Sequence, residues 1–330
     1  MILYSFSEMK KILWGSHIRI FELANHLNAK LIRGSSLNRL IHFPIRYPKI
    51  LFEKNILLAG YYPIKIEINL LKKFKKNILF DIADIPFLQA KYFSVPILNE
   101  NKLRKRFFEL INISNKLLIV SHTLKDLLDE DLSKKDVIFV SNGANHNFFK
   151  KTPLPVSGKK TILCVTGYAP NRGIETLVEA FKLLGDSENN ELKLVGYNMP
   201  TTFNSNNIIV EKDKFYSDMP DIFSRAYLSI IPHKKNPYMD SALPLKLFDS
   251  MASARPIVVT NCEEMAGLVL KEKCGLVVDD SAKSIAYAIK YLLESPDESM
   301  KMGLNGRDAI EKRYSWEIIA KNILNKININ

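Results

Sequence analysis

Pro244, Lys246 and Asp249, in the segment LPLKLFDSMA, carry the clearest chemistry in the sequence. Proline suits the first turn of a helix, where its missing N–H is not needed. Lys246 in that turn lies beside the free N–H groups of the helix terminus, and Asp249, three residues on, lies near the same face. A cation beside such donors suits a diphosphate, and a carboxylate one turn deeper suits a pair of sugar hydroxyls. The ordinary alternative is an amphipathic helix whose Lys246 and Asp249 form a surface ion pair. The preceding stretch, YLSIIPHKKNPYMDSA, reads as a buried strand ending at Pro232 and a polar loop, so the helix opens near the strand's carboxyl end.

The elements that position these residues alternate along the chain. MILYSF, IHFPI, NILLAG, NILFDIAD, KLLIVS and VIFVSNG read as strands, with HIRIFELANHL, KLRKRFFELINIS and HTLKDLLDEDL as helices between them. That rhythm predicts a parallel α/β sheet. The pattern breaks at residues 150–160, KKTPLPVSGKK, which read as an interdomain linker. A second α/β series then runs from TILCVTG to KSIAYAIKYLLES, so the chain divides into two tandem α/β domains, with the first spanning residues 1–150. Such sheets bind ligands at the carboxyl ends of their strands.

Composition narrows the class. Of 330 residues, 47% are hydrophobic and 25% charged, which excludes collagen-like, low-complexity and disordered chains. Cys164, Cys262 and Cys274 form no C-x-x-C pair and no metal-ligand spacing, so a reducing, cytoplasmic setting is expected, with no structural zinc. No apolar run reaches the length of a membrane span, and MILYSFSEMKKILWGSH reads as a strand rather than a signal peptide. The net charge of +12 is uneven: residues 1–150 hold 24 Lys and Arg against 13 Asp and Glu, residues 151–330 hold 23 against 22. KKFKK and KLRKR concentrate the excess, which fits an anionic membrane surface, a phosphate-bearing substrate or nucleic acid. A solvated helix face is the plain alternative for either cluster.

Several stretches together resemble GT-B glycosyltransferases, most closely the large retaining family of mannosyl- and glucosyltransferases. IIP (230–232), LPLKLFDSMA (243–252) and ARPIVVT (254–260) are similar to that family's strand, helix and following strand. TGYAPNRGIETLVEAF (166–181), ELKLVG (191–196) and CGLVVD (274–279) are similar to its phosphate loop, next strand and donor-side strand. VSNGANHNFF (140–149) and GSHIRIFELANHL (15–27) match turns of its amino-terminal half. The resemblance spans nearly the whole chain with the motifs in order. It implies two Rossmann-like parallel α/β domains facing a central cleft: an acceptor domain over 1–150, a nucleotide-sugar domain over 151–313, and a final helix over 314–330 returning toward the first.

The resemblance also implies roles. Asp249 takes the place of the glutamate that holds the donor's ribose hydroxyls. Arg172, before Gly173, takes the place of a phosphate-gripping lysine, and Pro244, Lys246 and Asp249 fit a P-x-K-x-x-E subset in which Lys246 meets the diphosphate. The family's second glutamate falls on Ser241, with Asp240 adjacent as the substitute carboxylate, and Gly167 or Tyr168 stands where a second basic residue is common. Ala242, Leu243 and Leu245 complete the donor-binding stretch. Gly15, Ser16, His17 and Arg19 are implied on the acceptor side with Asp84, near the family's His-Asp; His122 and Ser121 read instead as a helix cap, and Phe215 and Tyr216 read equally as flanks of the base or as aromatic packing.

The expected function is metal-independent, retaining transfer of a hexose from a UDP- or GDP-sugar, itself a substrate and not a cofactor. The expected acceptor is a saccharide or a polyprenyl-phosphate-linked glycan at the cytoplasmic membrane face, with the basic first half on the anionic leaflet. Ser241 and the shortened Asp249 raise the alternative of a catalytically degenerate partner subunit. A nucleic-acid-modifying protein is less favoured, because basic and aromatic residues do not interleave, and a nicotinamide enzyme is disfavoured by the lack of G-x-G-x-x-G.

Overall fold

The computed structural model describes residues 2–4, 16–32, 52–60, 65–94, 96–97, 99–128, 132–155, 158–185, 188–212 and 214–327. The chain forms two compact units, one of residues 1–91, 95–141 and 316–330, the other of residues 92–94 and 142–315.

The first unit is a six-stranded, wholly parallel sheet of β1 (Ile2–Tyr4), β2 (Lys30–Ile32), β3 (Asn55–Ala59), β4 (Asn77–Ile82), β5 (Lys116–Ile119) and β6 (Asp136–Phe139), in the order β2-β1-β3-β4-β5-β6. Its helices are α1 (Ser16–His26), α2 (Lys65–Lys73), α3 (Pro86–Tyr92), α4 (Glu100–Ile113) and α5 (His122–Asp126). Central strands such as β4 are buried almost throughout, as a sheet covered on both faces requires. Asn99 caps α4 by accepting from the Lys102 N–H at 2.8 Å, and Ser121 caps α5 through the Leu124 N–H at 3.1 Å. The motif IHFPI lies outside the described residues, and α2 and α3 are helices that sequence periodicity did not single out.

The second unit is again six parallel strands: β7 (Lys160–Val165), β8 (Asn190–Val195), β9 (Ile208–Glu211), β10 (Leu228–Ile231), β11 (Ile257–Thr260) and β12 (Gly275–Val278). They follow the order β12-β11-β10-β7-β8-β9. The chain builds outward from β7 to β9, then returns to the other side of β7 with β10, so the topological switch point lies between β7 and β10. Its helices are α6 (Ile174–Leu183), α7 (Met219–Arg225), α8 (Pro237–Asp240), α9 (Leu245–Ala252), α10 (Glu263–Glu272), α11 (Ala282–Glu294) and α12 (Pro296–Ala309). The core joins Ile162, Leu192, Leu194, Leu228 and Ile230 of the strands to Leu177 of α6 and Ile289 of α11. The linker-like stretch is fastened within this unit: Arg255 donates to the Pro153 carbonyl at 3.1 Å and to the Thr152 carbonyl at 2.9 Å. A π-helical turn (Ile310–Tyr314) ends the unit, and the last helix, α13 (Trp316–Ile327), belongs to the first unit, where it packs on α1.

Arg19 of α1 corrects one expectation. It is 1% exposed, and its guanidinium grips Asp81 at the end of β4 through Nε at 3.0 Å and Nη2 at 2.7 Å. It also donates to the Val140 and Ser141 carbonyls just beyond β6, at 3.0 and 2.9 Å. A buried guanidinium spent on a carboxylate and two carbonyls ties α1 to the sheet; it is a structural pin and not an acceptor ligand. Arg19→Met should destabilise the protein by about 3–5 kcal/mol, because it strands Asp81 as a buried, unpaired charge, and Arg19→Met with Asp81→Leu should recover most of that loss. Urea unfolding of the wild type and the two variants reads this directly, and equal losses in the single and double variants would contradict the pin.

Candidate active site

Two loops meet at the carboxyl ends of the switch-point strands. The loop after β7 runs from Thr166 to Gly173 and the loop after β10 from Pro232 to Asn236, and the Lys234 N–H donates to the Asn171 carbonyl at 3.0 Å, joining them. Gly173 precedes α6 with φ of +69°, and a Cβ there would lie 1.6 Å from the Pro232 carbonyl oxygen. Only glycine allows the two loops to approach this closely. The capping positions of α6 and α9 are Gly173 and Pro244, and neither supplies a side-chain hydrogen bond to the first-turn N–H groups; among the described residues no other side chain is seen to do so. Both termini therefore retain donors suited to an anion.

Cationic side chains sit at these same two helix starts. Arg172 directly precedes Gly173, and Lys246 is the second residue of α9. Burial, then the charge of Arg172, pushes the Lys246 ammonium down to about 7, with the Cys164 thiol acting weakly in the opposite sense. His233 lies between them in effect: its Nε2 is 3.1 Å from Arg172 Nη1, its ring is wholly buried, and burial followed by the charges of Lys246 and Arg172 holds its pKa well below the usual imidazole range. The Arg172 guanidinium also lies over the Phe93 ring, 4.3 Å from its centroid. Sequence reasoning missed His233; the signal available was a polar residue directly after the proline that ends a switch-point strand.

One turn further along α9, Asp249 is 5% exposed and accepts from the Tyr216 hydroxyl at 3.2 Å. Tyr216 in turn stacks on Phe148, with ring centroids 5.3 Å apart. Lys246 and Asp249 are thus not a surface ion pair. The approach to α9 is fixed by Asn142, whose side-chain amide donates to the Leu243 carbonyl at 2.7 Å. Leu243 is buried, Ala242, Pro244 and Leu245 are half-buried, and Pro244 stands just before the helix, which starts at Leu245, rather than within its first turn. Gly167 faces the Tyr197 ring, which a Cβ would meet at 2.2 Å.

Residues 159–295 match the family model described as Glycosyl transferases group 1. Over this stretch the chain is similar to group 1 glycosyltransferases. It is 22% identical over 244 residues to an uncharacterized glycosyltransferase of Methanocaldococcus jannaschii, covering 71% of this chain and 65% of that protein, so the chain spans slightly less than two thirds of this curated relative. Among solved structures, HepE of Anabaena in complex with UDP is similar with a TM-score of 0.75 and 13% identity over 99% of this chain and 100% of that one. Sucrose-phosphate synthase from Thermosynechococcus elongatus is similar with a TM-score of 0.73 and 15% identity over 99% and 98%. These likenesses show the GT-B fold that the motifs implied.

Within the matched stretch, two further residues expected on the donor side make hydrogen bonds of their own. Asp240 Oδ1 accepts from Lys235 Nζ at 2.8 Å and from the Glu263 N–H at 3.0 Å, so this carboxylate caps α10. Ser241 is 1% exposed and donates its hydroxyl to the Tyr238 carbonyl at 2.7 Å, back into α8. In the first unit, Gly15 lies outside the described residues, Ser16 begins α1, and His17 is half-buried, with its pKa lowered by burial. Asp84, after β4, accepts from the Gln89 side chain at 3.4 Å. Among the described residues, no three His, Cys, Asp or Glu side chains gather as a metal site, and no helix is long and apolar enough to cross a membrane.

Crowding Lys246 against Arg172 carries a stability cost with a defined sign. The folded-state pKa of about 7 is below the ordinary 10.5, so between those values the unfolded chain binds the extra proton and this group makes stability rise with pH. Lys246→Met should raise the melting temperature at neutral pH and flatten that rise. Calorimetric scans of both proteins from neutral to alkaline pH test this, and parallel curves would show that Lys246 keeps its ordinary ionisation.

Proposed function

We propose that this protein transfers a hexose, with retention of anomeric configuration, from a UDP- or GDP-sugar to a saccharide or lipid-linked acceptor. The carrying observation is the placement of Arg172 and Lys246 at two uncapped helix starts beside the switch point, with Asp249 one turn beyond. The diphosphate lies against the two cations and the N–H groups of α6 and α9, and Asp249 accepts from the ribose hydroxyls. In the transition state the bond from the anomeric carbon to the phosphate oxygen breaks, and the two cations stabilise the charge that develops on the leaving diphosphate. The acceptor oxygen bonds the same face of the anomeric carbon, and its proton passes to the departing phosphate. This chemistry draws on side chains and helix termini and calls for no metal. HepE, similar in fold, has been solved with UDP-glucose, which favours trying uridine donors first.

A panel of nucleotide sugars should contain at least one that raises the melting temperature, since a ligand binding only the folded state stabilises it by mass action. Asp249→Ala and Lys246→Ala should each weaken that donor by about tenfold or more, the worth of a lost charged hydrogen bond. A panel in which nothing stabilises the wild type would reject the proposal. Donor binding without transfer to any acceptor would favour the second reading, a non-catalytic subunit, which the buried Ser241 hydroxyl supports.

The acceptor side of the proposal rests on the basic first half. On and after α2, Lys73 and Lys76 lie over the ring of Phe74, which is 37% exposed, and Ile66 is 51% exposed. Cations around exposed apolar side chains suit an anionic leaflet. Binding to phosphatidylcholine vesicles should appear only when phosphatidylserine is included, should weaken with salt, and should be lost in Lys73→Glu/Lys76→Glu; co-sedimentation measures it, and equal binding to neutral vesicles would count against this surface.

A further inference from the structure

His233 has no role assigned by the family match or by any motif, yet its surroundings constrain it closely. Its ring is fully buried, and its Nε2 lies 3.1 Å from Arg172 Nη1. A guanidinium has only donors, so Nε2 must be the acceptor and carries no proton. The ring's other nitrogen, Nδ1, is buried and has no hydrogen-bond partner among the described residues. The backbone is also held: the Thr260 hydroxyl donates to the His233 carbonyl at 2.6 Å, with Cys262 Sγ 3.8 Å from the same oxygen. The ring is therefore fixed in place, bonded to one cation, near a second, and left with one unused polar atom. Buried polar atoms without partners are uncommon in folded proteins, so a ring kept in this place is held there for its other nitrogen, the one bonded to Arg172.

We infer that His233 is a neutral imidazole, protonated on Nδ1, that positions Arg172 for the bound diphosphate by accepting through Nε2. An uncharged support is the arrangement the site needs. A carboxylate against Arg172 would neutralise the charge intended for the phosphate, and a third cation beside Arg172 and Lys246 would add repulsion. A neutral acceptor orients the guanidinium without changing its charge. Burial and the flanking charges of Arg172 and Lys246 act in the same direction, each disfavouring the imidazolium. The inference rests on the proposed diphosphate site but not on the sugar or on transfer.

Two measurements decide it. Long-range proton–nitrogen correlation spectra of the free, full-length protein at neutral pH should show the His233 ring with hydrogen on Nδ1 and a bare Nε2. An Nε2–H ring or an imidazolium would overturn the assignment without any ligand being present. Inorganic pyrophosphate then serves as the binding probe, titrated calorimetrically into wild type, His233→Phe and His233→Gln. His233→Phe should weaken pyrophosphate about tenfold or more, while His233→Gln, whose amide oxygen can again accept from Arg172, should recover part of the loss. Comparable melting temperatures for the two variants separate positioning from a general loss of fold. If His233→Phe binds pyrophosphate as the wild type does, or if the wild type binds none, the inference fails. Pyrophosphate binding with no response to any nucleotide sugar would instead reject the glycosyl-transfer reading and leave this inference standing.

Discussion

Holding Lys246 and Arg172 in one neighbourhood is the constraint around which the second unit is arranged. A lysine whose ammonium is pushed down to about 7 by burial and a nearby guanidinium represents unfavourable free energy stored in the folded state. Such an arrangement persists only where the surrounding structure enforces it. The enforcement is visible in the topology. β7 and β10 are neighbours although β8 and β9 intervene in sequence, so the loops that follow them open at the same edge of the sheet. Gly173 lets those loops touch, and the Lys234–Asn171 hydrogen bond joins them.

The site also differs from other helix starts of the protein. α4, α5 and α11 are closed by Asn99, Ser121 and Ser281, whose side chains accept from their own first-turn N–H groups. α10 is closed by the carboxylate of Asp240. α6 and α9 have no such side-chain cap and carry cations instead. α7 and α12 also lack a bond from their capping side chains, so what sets α6 and α9 apart is the cation each carries at its start beside the switch point.

The first unit uses an opposite strategy. Arg19 and Asp81 meet inside the protein with their charges mutually satisfied, and the Val140 and Ser141 carbonyls take up further donors. Breaking that pair is costly because each partner is stranded without the other. The pair at the switch point is like-charged; the Arg19–Asp81 pair is opposite-charged. One concentrates positive charge and the other contributes rigidity, and burial alone would not distinguish them.

Local pattern determined much of this protein. Alternating apolar runs and helical periods gave the parallel α/β class, the strands from NILLAG to CGLVVD, and the helix of Lys246 and Asp249, because strand and helix periods are written in neighbouring residues. The order of motifs gave the GT-B resemblance. Side-chain partnership was decided by tertiary structure alone. Arg19 stands 62 residues from Asp81, His233 stands 61 from Arg172, and Asp240 stands 23 from the N–H it caps. Likewise, Tyr92–Ser94 join the second unit and the closing helix joins the first. No periodicity links such positions. Whether a cation is a buried pin or an unspent charge depends on what the folded chain brings within about 3 Å of it, and a linear pattern does not contain that distance.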